Sequence, residues 1–278
     1  MEAVSIYKIN QKVKNILKNS QVLTTLFCKF FNKLSVKGNS INFTSINFKN
    51  NEININGLHN EINLNESSIV NNSRVNINGN ENLIEIKSNV EFTGDLNRKN
   101  INIIGNNNKI IVEPNSIIRN INIFISGDYN FIHIKDDCSI TFTEIHMEQN
   151  SNSCIINNGT TTHGREFRWV RFELDEGTKI DIGNDCMISN DVIFRTSDSH
   201  SIVNESGLRV NKASDIIIGS HCWFGLRSLV LKGTKISDNV IIGAGSICTK
   251  SIKENNVSVA GNPAKIIKEN IDWNRKYV

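Results

Sequence analysis

Residues 218 to 253 divide into six consecutive blocks of six: IGSHCW, FGLRSL, VLKGTK, ISDNVI, IGAGSI and CTKSIK. The heads are Ile218, Phe224, Val230, Ile236, Ile242 and Cys248. The fifth places are Cys222, Ser228, Thr234, Val240, Ser246 and Ile252, all small or β-branched. A strand repeats its facing every second residue and a helix about every 3.6, so neither produces this period. A chain wound as a triangular prism does: each block is one short strand and one corner, and three blocks close a coil. Such a coil buries its apolar side only by stacking on its neighbours. The expected fold is all-β, a parallel β-helix solenoid.

A second, longer repeat of the form φ-x-φ-x-G-x-x-N-x-φ-x-φ runs through residues 37 to 160. It reads INING-LHN-EINL around Gly57 and Asn60, VNING-NEN-LIEI around Gly79 and Asn82, INIIG-NNN-KIIV around Gly105 and Asn108, and IFISG-DYN-FIHI around Gly127 and Asn130. Alternating apolar residues make two strands, the glycine permits a positive φ at the corner, and aligned asparagines can bond in a ladder. These intervals exceed three hexads, so this half is expected to be less regular, with loops at some corners. His59, His133 and His146 are each isolated and suggest packing or solvated roles.

Residues 4 to 34 differ from the rest. Their apolar residues follow helical spacing and lysines take the other faces, with no acidic residue between Glu2 and Glu52. A basic amphipathic helix suits either an anionic membrane surface or a cap over the open end of the solenoid, where bare strand edges invite aggregation. The reading in order is therefore 1–36 helical segment, 37–160 Asn/Ile-rich coils, 161–270 hexad domain and 271–278 tail.

With 278 residues, 38% hydrophobic and 21% charged, the chain can bury a large core. A net charge of +3 argues for no nucleic-acid partner, and no apolar stretch is long enough to span a membrane or serve as a signal peptide. The six cysteines show no metal-ligand spacing, so no metal is expected. Cys138, Cys186 and Cys222 recur in similar contexts, KDDCSI, GNDCMI and GSHCWF, as one packing position used three times. Buried thiols rather than disulfides point to the cytosol.

Two stretches interrupt the pattern. THGREFRWVRFELDEG clusters Arg165, Arg168, Arg171, Phe167 and Trp169, a set suited to an anionic or sugar ligand or to an amphipathic edge with Trp169 packed inward. The second, from His200 to Asp215, follows the dense polar run Arg195-Thr196-Ser197-Asp198-Ser199-His200. A loop extruded from a rigid solenoid beside a histidine is a good place for a site. A neutral imidazole can take a proton from a hydroxyl nucleophile, and Asp198 is placed to orient it.

FRTSDSHSI, RVN, IGSHCWFG, KGTKISDNVIIGAGSICTKSI and VAGNPAKIIK together resemble the hexapeptide-repeat acyltransferases. The likeness covers about residues 174 to 270 and is greatest to the left-handed β-helix O-acetyltransferases of capsule and O-antigen polysaccharides, the polysialic acid type among them. The resemblance implies direct attack of a sugar hydroxyl on acetyl-CoA, with His200 as general base and Trp223 near the acetyl group. It implies that Gly225, Leu226 and Ala244 meet the pantetheine arm, that Thr249, Lys250 and Lys265 lie toward the nucleotide, and that Ser199, Arg209 and Asn211 meet the carbohydrate acceptor. It further implies a homotrimer with the coenzyme between subunits, in the cytoplasm or peripheral at the inner face of the membrane. Two departures stand out: RFEL at 171–174 replaces a segment that carries an Asn in related galactoside and maltose enzymes, and Leu226 replaces a small residue. An N-acetyltransferase of a nucleotide-linked amino sugar and a non-catalytic β-helical carbohydrate-binding scaffold are the competing readings.

Overall fold

The computed structural model of the protein describes residues 33–35, 37–43, 48–98 and 100–276. Among these every regular element is a strand. The strands stack in parallel, rung on rung, into three faces of a prism. On the first face the inward column runs Ile53, Val75, Ile101, Ile123, Ile145, Phe172, Phe194, Val230 and Cys248. On the second it runs Leu64, Ile86, Val112, Ile134, Ile156, Ile182, Ile218 and Ile236. The third carries Val70, Phe92, Ile118, Ile140, Thr162, Ile188, Phe224, Ile242 and Val259. All hexad heads of 218–253 are buried in this core, and so are all six fifth-place residues. Cys138, Cys186 and Cys222 each precede a third-face strand and are buried free thiols, the repeated packing position read from the sequence.

The 37–160 coils are more regular than their length suggested. Successive rungs lie 22 or 26 residues apart, against 18 in the last coils. The added residues of a 22-residue coil lengthen two sides, so that strands such as Glu52–Asn56 and Glu61–Leu64 each bury two apolar residues instead of one. Before the interruption at 196–215, the described residues insert short loops at 94–98 and 164–169, where a coil is longer still. These two insertions meet: Arg98 lies 4.9 Å from the Trp169 ring, which packs edge-on against Phe142 at 5.5 Å. Trp169 is therefore half-buried on the insertion rather than in the core, while Phe167 is exposed.

One solenoid passes through residue 160, where Thr161–His163 stacks between Ser139–Glu148 and Met187–Ile188. The helical segment expected over 4–34 lies outside the described residues except at Lys33 and Leu34, which belong to the strand Lys33–Ser35 paired with Glu52–Asn56.

The asparagine ladder is formed as expected. Asn82, Asn108, Asn130 and Asn152 are buried, and each donates its amide to the Oδ1 of the preceding rung at 2.8 to 3.1 Å. Beside it, a Cβ on Gly79 would lie 1.9 Å from the Gly105 carbonyl oxygen at a φ of +149°, so only glycine fits at that position. Other corners use asparagine in the left-handed region, including Asn72, Asn89 and Asn115, which accounts for much of the Asn richness.

Asn108 donates to Asn82 and the Gly127 carbonyl and accepts from the Asn130 backbone and side chain. Asn108→Ala should therefore cost about 3 kcal/mol or more, because each buried group left unpaired costs about 1–3 kcal/mol. The exposed Asn78→Ala should cost about 0.5 kcal/mol or less. Denaturant midpoints of the two variants check the contrast.

Candidate active site

Residues 196 to 215 leave the first face after Ile193–Arg195 and rejoin the second at Ile216–Ile218. The loop doubles back on itself: Val203 bridges Arg209, the Val210 amide donates to the Ile202 carbonyl at 2.8 Å, and the Asn204 side chain closes the turn by accepting from Ser206 and Leu208. Polar side chains fasten its base from both neighbouring coils. Asn211 accepts from the Ile202 amide at 2.7 Å and donates to Asp198 and to the His200 carbonyl, both at 2.8 Å. Arg209 forks onto the Glu176 carboxylate, and Lys232 pairs with Asp198 while donating to the Asn211 carbonyl at 3.1 Å. Lys232, with Asn211, holds the Asp198 carboxyl below the ordinary carboxylate range, and Arg209 does the same for Glu176.

The result is a fixed backbone at His200 with an exposed ring. Asp198 bonds to Asn211 and Lys232, not to His200. Lys232 and Asn211 occupy the Asp198 carboxylate, so Asp198 positions the loop rather than the imidazole. Ser199, Arg209 and Asn211 likewise build the loop: Ser199 Oγ accepts from Arg195 at 2.7 Å, and the other two make the contacts just described.

Trp223 stands outward on the third face, 37% exposed. After it, Gly225, Leu226 and Ala244 stack at the corner between the third and first faces. The Gly225 amide donates to the Ile242 carbonyl at 2.8 Å and the Gly245 amide to the Leu226 carbonyl at 2.7 Å. A Cβ on Gly225 would lie 2.7 Å from the Ala244 nitrogen, so this edge carries nothing larger than a methyl group at Gly225 and Ala244. Lys265 lies close by, paired opposite Ala260.

Thr249 and Lys250 do not join this group. They follow Ile247–Cys248 at the far end of the first face, on the edge that carries Lys232 and the His200 loop. Within one chain the residues expected to work together thus occupy two separate edges. His200, Thr249 and Lys250 share one, while Trp223, Gly225, Leu226, Ala244 and Lys265 gather around the other.

No family model matches the chain. A polysialic acid O-acetyltransferase of Escherichia coli O1:K1 is 41% identical over 116 residues, covering 41% of this chain and 36% of that protein. One from Neisseria meningitidis is 36% identical over 102 residues, covering 36% of this chain and 47% of that protein. The alignments thus span between a third and a half of those curated relatives. The solved structure of the polysialic acid O-acetyltransferase OatWY superposes with a TM-score of 0.59 at 32% identity, covering 81% of this chain and 92% of that one. The chain belongs to the hexapeptide-repeat acyltransferases of the polysialic acid O-acetyltransferase type. The superposition extends the relationship well beyond residues 174 to 270, into coils whose sequence shows no hexads.

Two features of this acyltransferase chain escaped the sequence. A cavity of about 270 Å³ opens on the first face beside the loop, lined by His146, Glu148, Glu173, Asp175, Arg195 and Ser199 among others. His146, read as isolated, contacts Glu148 at 3.0 Å and packs on Phe124 at 4.7 Å. The second feature is a clamp made by residues 271–276, which return over the third face. Trp273 is buried, stacks on His221 at 4.3 Å and lies 6.1 Å from Trp223. His221 contacts Asp185 at 2.6 Å and Asp272 at 3.2 Å, and Arg275 reaches Asp185 at 2.9 Å. Only the i, i+2 alternation of His146 with Glu148 and of Glu173 with Asp175 hinted at the cavity, and nothing local hinted at the clamp.

Burial lowers the His221 pKa, but Asp185, the Trp273 carbonyl and Asp272 outweigh it and leave the group raised. The clamp's stabilisation from protonated His221 is therefore complete below about pH 6.5, the ordinary histidine value, and is lost as pH rises through the raised folded-state value. Thermal unfolding should show a gap between wild type and His221→Gln that is wider at pH 6 than at pH 9. A gap independent of pH would leave His221 a packing role alone.

Proposed function

We propose that the protein transfers an acetyl group from acetyl-CoA to a sugar hydroxyl of a bacterial surface polysaccharide, capsule or O-antigen, with His200 as general base. Family membership supports the reaction class, and one observation supports the assignment: the loop fixes the backbone at His200 and leaves its ring exposed. The acceptor oxygen attacks the thioester carbonyl carbon while its proton passes to the imidazole. Collapse of the tetrahedral intermediate breaks the C–S bond, and the imidazolium returns the proton to the departing thiolate, so no acyl-enzyme forms.

The active unit is a homotrimer in this reading. The edge bearing His200 and Lys250 in one copy faces the edge bearing Trp223, Gly225, Leu226, Ala244 and Lys265 in the next. The residues fit the co-substrate: the small-residue corner leaves room for a narrow pantetheine arm, and lysines on both edges attract phosphate as point charges. Thr249 sits with Lys250. Among the described residues no helix is long and apolar enough to cross a membrane. The buried free thiols support a cytoplasmic enzyme in this reading, with residues 4–34 as its contact to the inner membrane surface.

His200→Ala should lower kcat by about 10²–10⁴ while isothermal titration shows CoA binding retained. Trp223→Ala should raise KM for acetyl-CoA or lower kcat. Full activity in the His200 variant would remove the proposed base. Acetylated product should lose its acetyl group to hydroxylamine, as an ester does and an amide does not.

A further inference from the structure

One outward column of the first face crosses seven rungs without a break in register. It runs Asn54, Asn76, Asn102, Phe124, His146, Glu173 and Arg195 and ends at the root of the His200 loop. At about 4.8 Å per rung it is roughly 29 Å long. Two grooves of about 270 Å³ lie on it, one over Asn54, Asn76 and Asn102, the other over His146, Glu173 and Arg195.

The chemistry of this column is directional. At its far end amides bond from rung to rung: Asn54 donates to Asn76 at 3.2 Å and to Glu52 at 3.4 Å, and in the parallel row Asn56 donates to Asn78 at 3.0 Å. Each amide carries two N–H donors and an acceptor oxygen with two lone pairs, more than these bonds use, so a flat array of further donors and acceptors is presented at a fixed spacing. In the middle Phe124, half-exposed beside His146, offers an apolar ring face of the kind that packs on the C–H face of a sugar.

Charge excludes one class of occupant. The guanidinium groups on this face are already ion-paired: Arg74 with Glu52, and Arg171 and Arg195 both with Glu173. Glu144, Glu148 and Asp175 add further carboxylates on the same strands and their ends. Burial raises the Asp175 pKa, and Glu176 and Glu148 add to the shift, in keeping with a surplus of negative charge there. A polyanion laid on this face would meet like charge and no unpaired arginine, at a cost that salt would screen.

We infer that the first face is an acceptor track for an uncharged, extended glycan, which lies along the asparagine column and over Phe124 and delivers one sugar to His200. This rests on the acetyl-transfer reading, and it separates the chain's acceptor from the polysialic acid named for its relatives.

The test uses the full chain with maltooligosaccharides, chitooligosaccharides and oligosialic acids graded from disaccharide to octasaccharide. Acetyl transfer is measured with acetyl-CoA and equilibrium binding without it. For a neutral series both KM and Kd should fall about tenfold or more with length, and oligosialic acid of equal length should bind more weakly. The double variant Asn76→Ala with Asn102→Ala should lose the gain from length while keeping wild-type kcat on the disaccharide. Phe124→Ser should act in the same direction if the double variant proves unstable. Binding independent of length, a gain that survives both variants, no binding of either neutral series, or tighter binding of oligosialic acid would each overturn the track. Acetylation without length dependence would defeat the track and leave the transferase. Length-dependent binding without acetylation of any acceptor would do the reverse.

Discussion

The whole molecule depends on parallel stacking without register shift. A coil of this chain has one buried head and one small or β-branched buried residue per hexad, too few to enclose a core alone. Stacked in register, every position becomes a column, and each column must be chemically self-compatible along its length. Isoleucine, valine and phenylalanine satisfy that by packing on themselves. Asparagine satisfies it because its amide is donor and acceptor at once, so a buried Asn column closes its own bonds from Asn60 to Asn152. Glycine satisfies it at the corner where coils approach too closely for a Cβ.

A rigid scaffold of this kind leaves chemistry to whatever is inserted into it. The 36-residue separation between registered positions Lys179 and Asp215 is twice the 18 of the last coils, and the surplus is the His200 loop. Its root is anchored by Glu176 from the coil before and Lys232 from the coil after. Beneath it Phe172 stacks on Phe194 and Phe194 meets Phe224 edge-on, each pair with centroids 5.0 Å apart. The imidazole is thus carried on an extruded segment whose base moves only with the solenoid.

How much of this was legible follows from the same physics. The hexad heads, the fifth-place residues, the Asn ladder and the shared cysteine position are local patterns, and all of them read correctly. Partnerships across coils were not legible, because they depend on how many residues each coil consumes. Asp198 looked like a partner for His200 two residues away, yet the carboxylate is taken by Lys232, a rung later. Thr249 and Lys250 were grouped with Lys265, yet one first-face strand carries them to the opposite edge. His146, Glu173 and Arg195 share a column although 49 positions separate the first from the last, a register that the insertion at 164–169 hides. Trp273 reaches His221 only because the tail folds back over the third face.

The separation of His200 from Trp223 gives the central claim its most direct measurement, acetyl transfer by mixed assemblies of His200→Ala and Trp223→Ala chains, each impaired alone. If one copy supplies the histidine edge and the next the tryptophan edge, equal co-expression restores about a quarter of the wild-type sites by random assembly of a cyclic trimer. Activity in the mixture no higher than the mean of the two parents would contradict a site shared between copies.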